Sequence, residues 1–296
     1  MSIVSEYEYR GRRYVSFGIA AAGEPQTLHL LPEGGLRAAL LAQDAPAALA
    51  AAAEGAPSLT VTAGDPELRP LPPLLPADSG TALVSGFLGT HKSKEAAIVS
   101  YDGRPPVPKW FFKGLGSWLR TPGQPLVVPE EPIWLIEEAE MLLVYVNDQQ
   151  GVPHYVGYSF GNDLCDIGLH RIDPGYTPSG KLCDTAVSPY LFLGEPPRAA
   201  TGTVTIERGG VAAWEGKFDC GADALWFRVE DLAARAFSFP ALRRPGLVNY
   251  LLTGADLSSF HDNFQLQDGD RLVIEVADHG AVLSNTGQYG GTASTA

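Results

Sequence analysis

Residues 134–190 read WLIEEAEMLLVYVNDQQGVPHYVGYSFGNDLCDIGLHRIDPGYTPSGKLCDTAVSPY, and the reading of this stretch decides the fold. Residues 141–146 are apolar and partly β-branched, the composition of a strand. Residues 147–151 carry Asn, Asp and Gly, a turn signal, and residues 155–160 form the returning strand. In a strand, residues i and i+2 share a face, so Glu138 and Glu140 point the same way. With the turn centred near Gln149 and Gln150, Glu138 lies opposite Gly161 and Asn162 in an antiparallel ladder. Asp163 then falls beside the two glutamates.

Three carboxylates so close raise each other's pKa and cannot all stay ionised unaided. A hard divalent cation resolves the conflict. An all-oxygen set suits Mg²⁺, Mn²⁺ or Ca²⁺, and three ligands leave room for water or substrate. The plainer alternative is a solvated glutamate pair on an exposed edge strand.

The neighbouring residues carry a resemblance. Glu138-Ala139-Glu140-Met141, then Gly157-Tyr158-Ser159-Phe160-Gly161-Asn162-Asp163, then Lys181, resemble the fumarylacetoacetate hydrolase superfamily. The segments Trp110-Phe111-Phe112-Lys113-Gly114 and Pro122-Gly123-Gln124-Pro125-Leu126 look like its entry segment. Leu251-Leu252-Thr253-Gly254 and Leu266-Gln267-Asp268-Gly269-Asp270 look like its closing strands. The resemblance spans roughly residues 83–287. Asp166, Arg171, Tyr176, Arg243-Arg244-Pro245-Gly246 and the run from Ala255 to Phe260 are similar to the sugar-acid branch, which includes 2-keto-3-deoxy-pentonate dehydratases.

The resemblance implies a β-rich α+β fold: a mixed β-roll catalytic domain over residues 79–296, preceded by a small N-terminal α/β domain over residues 1–78. It also implies roles. Glu138, Glu140 and Asp163 would hold the metal, Mg²⁺ or else Mn²⁺ or Ca²⁺, and Lys181 would face the substrate. Many relatives carry His-x-x-Glu on a lid that activates water. Here His91 is followed at the third position by Lys94, with Glu95 one later, so that dyad is altered. His91 and Glu95 stand as catalytic candidates because neutral imidazole suits proton transfer near pH 7. Lys113, Arg171, Tyr176, Thr253 and Gly254 are the substrate-binding candidates. Arg171 can clamp a carboxylate bidentately or pair with Asp173 or Asp166 at the surface. Lys113 can equally end an aromatic strand as a snorkelling lysine. Ile167-Gly168 replaces an Arg-Asp pair of many relatives, and Ala255 replaces a threonine. Both changes point to an altered pocket. Lys181 reads as the first residue of a strand over 181–185, and a nearby divalent ion would depress its pKa.

Composition sets outer bounds. The chain has 296 residues, 45% of them hydrophobic, enough for one large domain or two modest ones. A formal net charge of −13 argues against nucleic-acid or anionic-membrane partners. Cys165, Cys183 and Cys220 are odd in number and form no CxxC, which reads as a reduced, cytoplasmic protein. No secretory signal is evident, and no apolar run approaches the ~20 residues that span a membrane. Elsewhere the pattern predicts a hairpin over 3–20, one helix over 36–54, a proline-rich linker over 64–80, a hairpin across Gly209-Gly210, a short helix over 229–237 and a loose tail after Thr286.

The expected activity is metal-dependent enolate chemistry on a 2-oxo acid in a homodimer, most simply dehydration of a 2-keto-3-deoxy sugar acid. The alternatives are C–C hydrolysis of a fumarylacetoacetate-like 1,3-dicarbonyl acid, decarboxylation or tautomerisation, and a family member that binds a ligand without turnover.

Overall fold

The computed structural model describes residues 3–100 and 102–290. The fold is β-rich with short helices and mixed sheets. Its centre is the antiparallel hairpin of Ala139–Asn147 and Pro153–Asn162. The first strand is buried along its whole length, as a continuous apolar run requires. Its alternation feeds two cores. Met141, Leu143 and Tyr145 join one that includes Val204, Ile206, Leu272, Ile274 and Leu283. Leu142, Val144 and Val146 join another that includes Leu36, Leu40 and Leu49 of the N-terminal helices.

On one side of the hairpin, Val248–Leu252 pairs antiparallel to Ala139–Asn147, then parallel to Ala82–Leu88, which pairs with Lys109–Leu115. On the other side, Pro153–Asn162 meets Thr185–Val187 and Tyr190–Phe192. Gly157, at φ +151, lets the Phe192 carbonyl approach to 2.5 Å from where a Cβ would stand, so no other residue fits there. Ile3–Ser5 pairs with Tyr190–Phe192, so the N-terminal strands extend the same sheet. A second sheet of five strands carries Thr201–Arg208 and Val211–Asp219, the hairpin expected across Gly209-Gly210.

Three expectations need correction. The helix over 36–54 is two, Gly35–Leu40 and Ala45–Glu54. Asp44 accepts the Ala47 N–H at 3.0 Å and Pro46 has no N–H to give, so the chain restarts there. The proline-rich segment 64–80 contains the strand Arg69–Leu71, paired with the first strand, and the Pro73 carbonyl accepts from Tyr250 at 2.6 Å. The residues after Thr286 are not loose as far as they are described: Ala281–Tyr289 is a strand paired in parallel with Leu126–Val128, and residues 291–296 lie outside the described residues. Among the described residues, no helix is long and apolar enough to cross a membrane.

Candidate active site

The hairpin register places the acids. Ala139 pairs with Asn162 and Glu140 with Gly161, so Glu138 and Asp163 meet just beyond the ladder's end. Two bonds lock the junction: Glu138 N–H to Asn162 Oδ1 at 2.9 Å and Asp163 N–H to the Glu138 carbonyl at 2.8 Å. One carboxylate oxygen from each of Glu138, Glu140 and Asp163 lies within 4.8 Å of the others. Glu140 and Asp163 are buried, while Glu138 keeps 14% of its side chain exposed. An exposed edge pair, the plainer reading, does not occur here.

Two lysines enter the cluster. Lys181 Nζ donates to Glu138 and to Asp163 Oδ2. Lys113 Nζ donates to the Leu164 carbonyl and lies 2.9 Å from Asp163 Oδ1. Lys181 does not open a strand. It caps the short helix Thr177–Gly180, because Pro178 suits a helix's first turn, and the strand begins only at Thr185. Burial pulls the Lys181 ammonium down, but Asp163, Cys165, Glu138 and Glu140 together hold it well above its usual range. The protein's own groups thus act against the depression expected from sequence. Burial raises the Glu140 carboxyl well above its ordinary value, and Asp163 and Glu138 add to that. Asp163 is held low: burial opposes ionisation, yet Lys113 and Lys181 outweigh it.

The donor set fits a hard divalent ion. All three ligand atoms are carboxylate oxygens. Asp163 Oδ1 is buried, with Lys113 Nζ 2.9 Å away. That contact leaves a carboxylate oxygen with coordinating capacity to spare.

The other sequence candidates fall into three groups. Thr253 is buried and donates its hydroxyl to the Met141 carbonyl at 3.0 Å. Gly254, at φ +95, donates its N–H to Glu140 Oε2 at 2.6 Å, and a Cβ there would lie 2.2 Å from Thr90 Oγ1. Both therefore order the triad's surroundings. Arg171 and Tyr176 are exposed, with the Arg171 guanidinium 5.3 Å over the Phe260 ring. Asp166 is spent on the N–H groups of Ile133, Trp134 and Gly168, so it does not pair with Arg171.

His91 and Glu95 lie on a separate segment. His91 is buried, and its Nε2 lies 3.0 Å from the Asp219 carbonyl. Burial lowers its pKa to about 4. Glu95 is exposed and accepts from Trp226 Nε1 at 3.4 Å.

Sequence reasoning passed over Glu137. Its carboxylate is fully buried and accepts from Ser259 N–H and Ser259 Oγ, each at 2.7 Å. Burial raises its pKa to about 7. The signal was in plain view, a third acid beside the Glu-x-Glu pair, but only the partner loop gives it meaning.

No protein-family model matches the chain. A Haloferax volcanii protein named "Probable 2-keto-3-deoxyxylonate dehydratase" is 27% identical over 188 residues, 60% of this chain and 60% of that relative's length. Among solved structures, 2-keto-3-deoxy-D-arabinonate dehydratase in its apo form matches with a TM-score of 0.70 at 18% identity, over 98% of this chain and all of the other. The same enzyme complexed with magnesium and 2,5-dioxopentanoate matches at 0.68 and 18% with the same coverage. A Mycobacterium smegmatis 5-carboxymethyl-2-hydroxymuconate delta-isomerase matches at 0.64 and 16%, over 98% of this chain and all of the other. These solved structures share the fold of this chain, and the Haloferax volcanii relative matches it in sequence over 188 residues.

Proposed function

We propose that this chain is a divalent-metal-dependent lyase that dehydrates a 2-keto-3-deoxy sugar acid. The observation that carries the reading is the convergence of Glu138, Glu140 and Asp163 with Lys181 in one largely buried cluster. The names borne by the haloarchaeal relative and by the arabinonate dehydratase structures support the choice of substrate class.

The three acids would hold the ion, Mg²⁺ by preference. Bound there, it supplies Lewis acidity to the 2-oxo group and makes the neighbouring C3–H more acidic. Lys181 would be the proton carrier once a bound ion takes up Glu138 and Asp163, the acids that hold its ammonium protonated; as a neutral amine it would take the C3 proton and pass it to the departing hydroxyl at C4. The C3–H and C4–O bonds break, C3 and C4 become doubly bonded, and water leaves. Lys113 balances Asp163 and fixes the Leu164 carbonyl, which holds the cluster's floor. In this reading the exposed side chains of Arg171 and Tyr176 would meet the substrate's carboxylate and hydroxyls.

Elimination is favoured over C–C hydrolysis because His91 and Glu95 are engaged elsewhere, one by the Asp219 carbonyl and the other by Trp226. They do not form a pair that would activate water. The functional unit is a homodimer in this reading, which light scattering on the purified protein tests.

The deciding experiment follows C3 hydrogen–deuterium exchange by NMR on simple 2-oxo acids and pentonate-derived 3-deoxy-2-oxo acids, in D₂O with Mg²⁺ or Mn²⁺. Metal-dependent exchange with loss of water from the sugar acid is the expected result. Exchange no faster than in the metal-plus-substrate control across the panel would overturn the reading. Cleavage products in place of dehydration would replace elimination by hydrolysis.

A further inference from the structure

The loop between the last catalytic-sheet strand and the turn Ser259–Asp262 is held at both ends by acids of one short segment. At its start, Gly254 N–H donates to Glu140 Oε2 at 2.6 Å. At its end, Ser259 gives both its N–H and its hydroxyl to Glu137. Ser258 caps the turn that follows, with the His261 imidazole closing the reciprocal bond. The next residue, Phe260, packs edge-on against Trp134 with ring centroids 5.4 Å apart. Its ring also lies 5.3 Å beneath the Arg171 guanidinium. Trp134 in turn is fixed by its own N–H on Asp166.

Glu137 is expensive to bury. It has no exposed surface and makes no ion pair among the described residues. Burial of a carboxylate without a cation is unfavourable unless donors saturate it. Ser259 supplies two donors at good distance, its N–H to one oxygen of Glu137 and its hydroxyl to the other. The Glu137 side chain therefore acts as a two-point clip between the entry to the hairpin and the loop after Gly254.

We infer that Glu137 is a positioning residue whose clamp on Ser259 fixes Glu140 through Gly254 and fixes Arg171 through Phe260. This rests on the metal reading of the triad given above. Hydrogen-bonded partners behind metal ligands orient those ligands, and their loss commonly weakens metal affinity by about 10–100-fold. The inference therefore predicts an effect on metal binding with no turnover involved.

The test is Mn²⁺ affinity by EPR and calorimetry, with KM and kcat measured separately, in Glu137→Ala, Ser259→Ala and Glu137→Gln. Near-UV circular dichroism and melting temperature verify each fold. Glu137→Ala and Ser259→Ala are expected to bind Mn²⁺ about 10–100-fold more weakly and to raise KM. Glu137→Gln is expected to stay within about threefold of wild type, because its amide oxygen accepts from Ser259 N–H and its NH₂ donates to Ser259 Oγ. If Glu137→Ala does not fold, Ser259→Ala decides alone. Wild-type affinity in Ser259→Ala would overturn the clamp while leaving the metal reading intact. Glu137→Gln as weak as Glu137→Ala would also overturn it, since the carboxylate charge itself would then be needed. Wild-type protein that binds no Mn²⁺ would sink the metal reading and the clamp with it.

Discussion

The mouth of the central hairpin and the segment of residues 90–95 both carry side chains suited to catalysis, and the fold treats them in opposite ways. At the hairpin mouth, three carboxylates and two ammoniums are turned toward one another, and Asp163 Oδ1 keeps coordinating capacity unspent. In the other segment, nearly every group is consumed by a neighbouring loop. The Thr90 carbonyl accepts from Trp226 N–H, His91 meets the Asp219 carbonyl, Lys92 donates to the Asp223 carbonyl and Ser93 to Asp256. Residue type alone therefore does not mark a reactive group. What marks it is whether its polar atoms are left pointing at a common point or are used up holding chain to chain.

Substitutions can break or sharpen this contrast. The largest effect is expected from Asp163→Ala, which leaves Lys113 and Lys181 buried around a missing anion. Removing one partner of a buried pair costs about 3–5 kcal/mol, readable by urea denaturation, and metal-dependent turnover should vanish with it. Unchanged activity would dissolve the distinction at once. Next comes Lys181→Met: turnover should fall by about 10²–10⁴-fold while Mn²⁺ affinity holds or improves, because one competing cation is gone. Loss of metal binding instead would make Lys181 structural. Third, His91→Gln should reduce kcat by less than about tenfold, below the usual worth of a general acid or base. Its mark should appear in stability. The native His91 pKa of about 4 lies under its ordinary value of 6.5, so between those limits the unfolded chain binds the extra proton. Stability is full above pH 6.5 and is lost as pH falls toward 4, by about 3 kcal/mol at most. Melting curves from pH 7.5 to 4.5 should be flatter in His91→Gln than in wild type. The smallest effect belongs to Glu95→Gln, exposed and weakly bonded, with activity within about twofold and stability within about 0.5 kcal/mol. A large loss there would restore the altered dyad to the mechanism.

The sequence disclosed the acids because the two-residue strand period and a short turn are local facts. Counting around Gln149 and Gln150 brings Glu138, Glu140 and Asp163 together, although the observed register sets Glu138 beyond Asn162 rather than opposite it, because a bulge between Val144 and Tyr145 shifts the count. Lys181 was legible by its place in the resemblance but not by its local structure, since Pro178 starts a helical turn where a strand was expected. The break at Asp44 needed a cap that an alanine-rich run hides. Glu137 was unreadable because its partner, Ser259, is more than a hundred residues away. The pairing of Ile3–Ser5 with Tyr190–Phe192 was unreadable for the same reason. Patterns within one element survive in a string of letters, whereas contacts closed by the whole chain do not.

That last pairing has a consequence for the chain's synthesis. The strand at the amino terminus cannot find its partner at residues 190–192 until they have been made. At about 5–20 residues per second, Ile3–Ser5 wait roughly 10–40 s with their hydrogen-bonding edge open, whereas Glu6–Glu8 meet Arg69–Leu71 far sooner. Such an edge is a template for unwanted association. Those three residues are thus a point at which the growing polypeptide can meet other chains until residue 192 has been made.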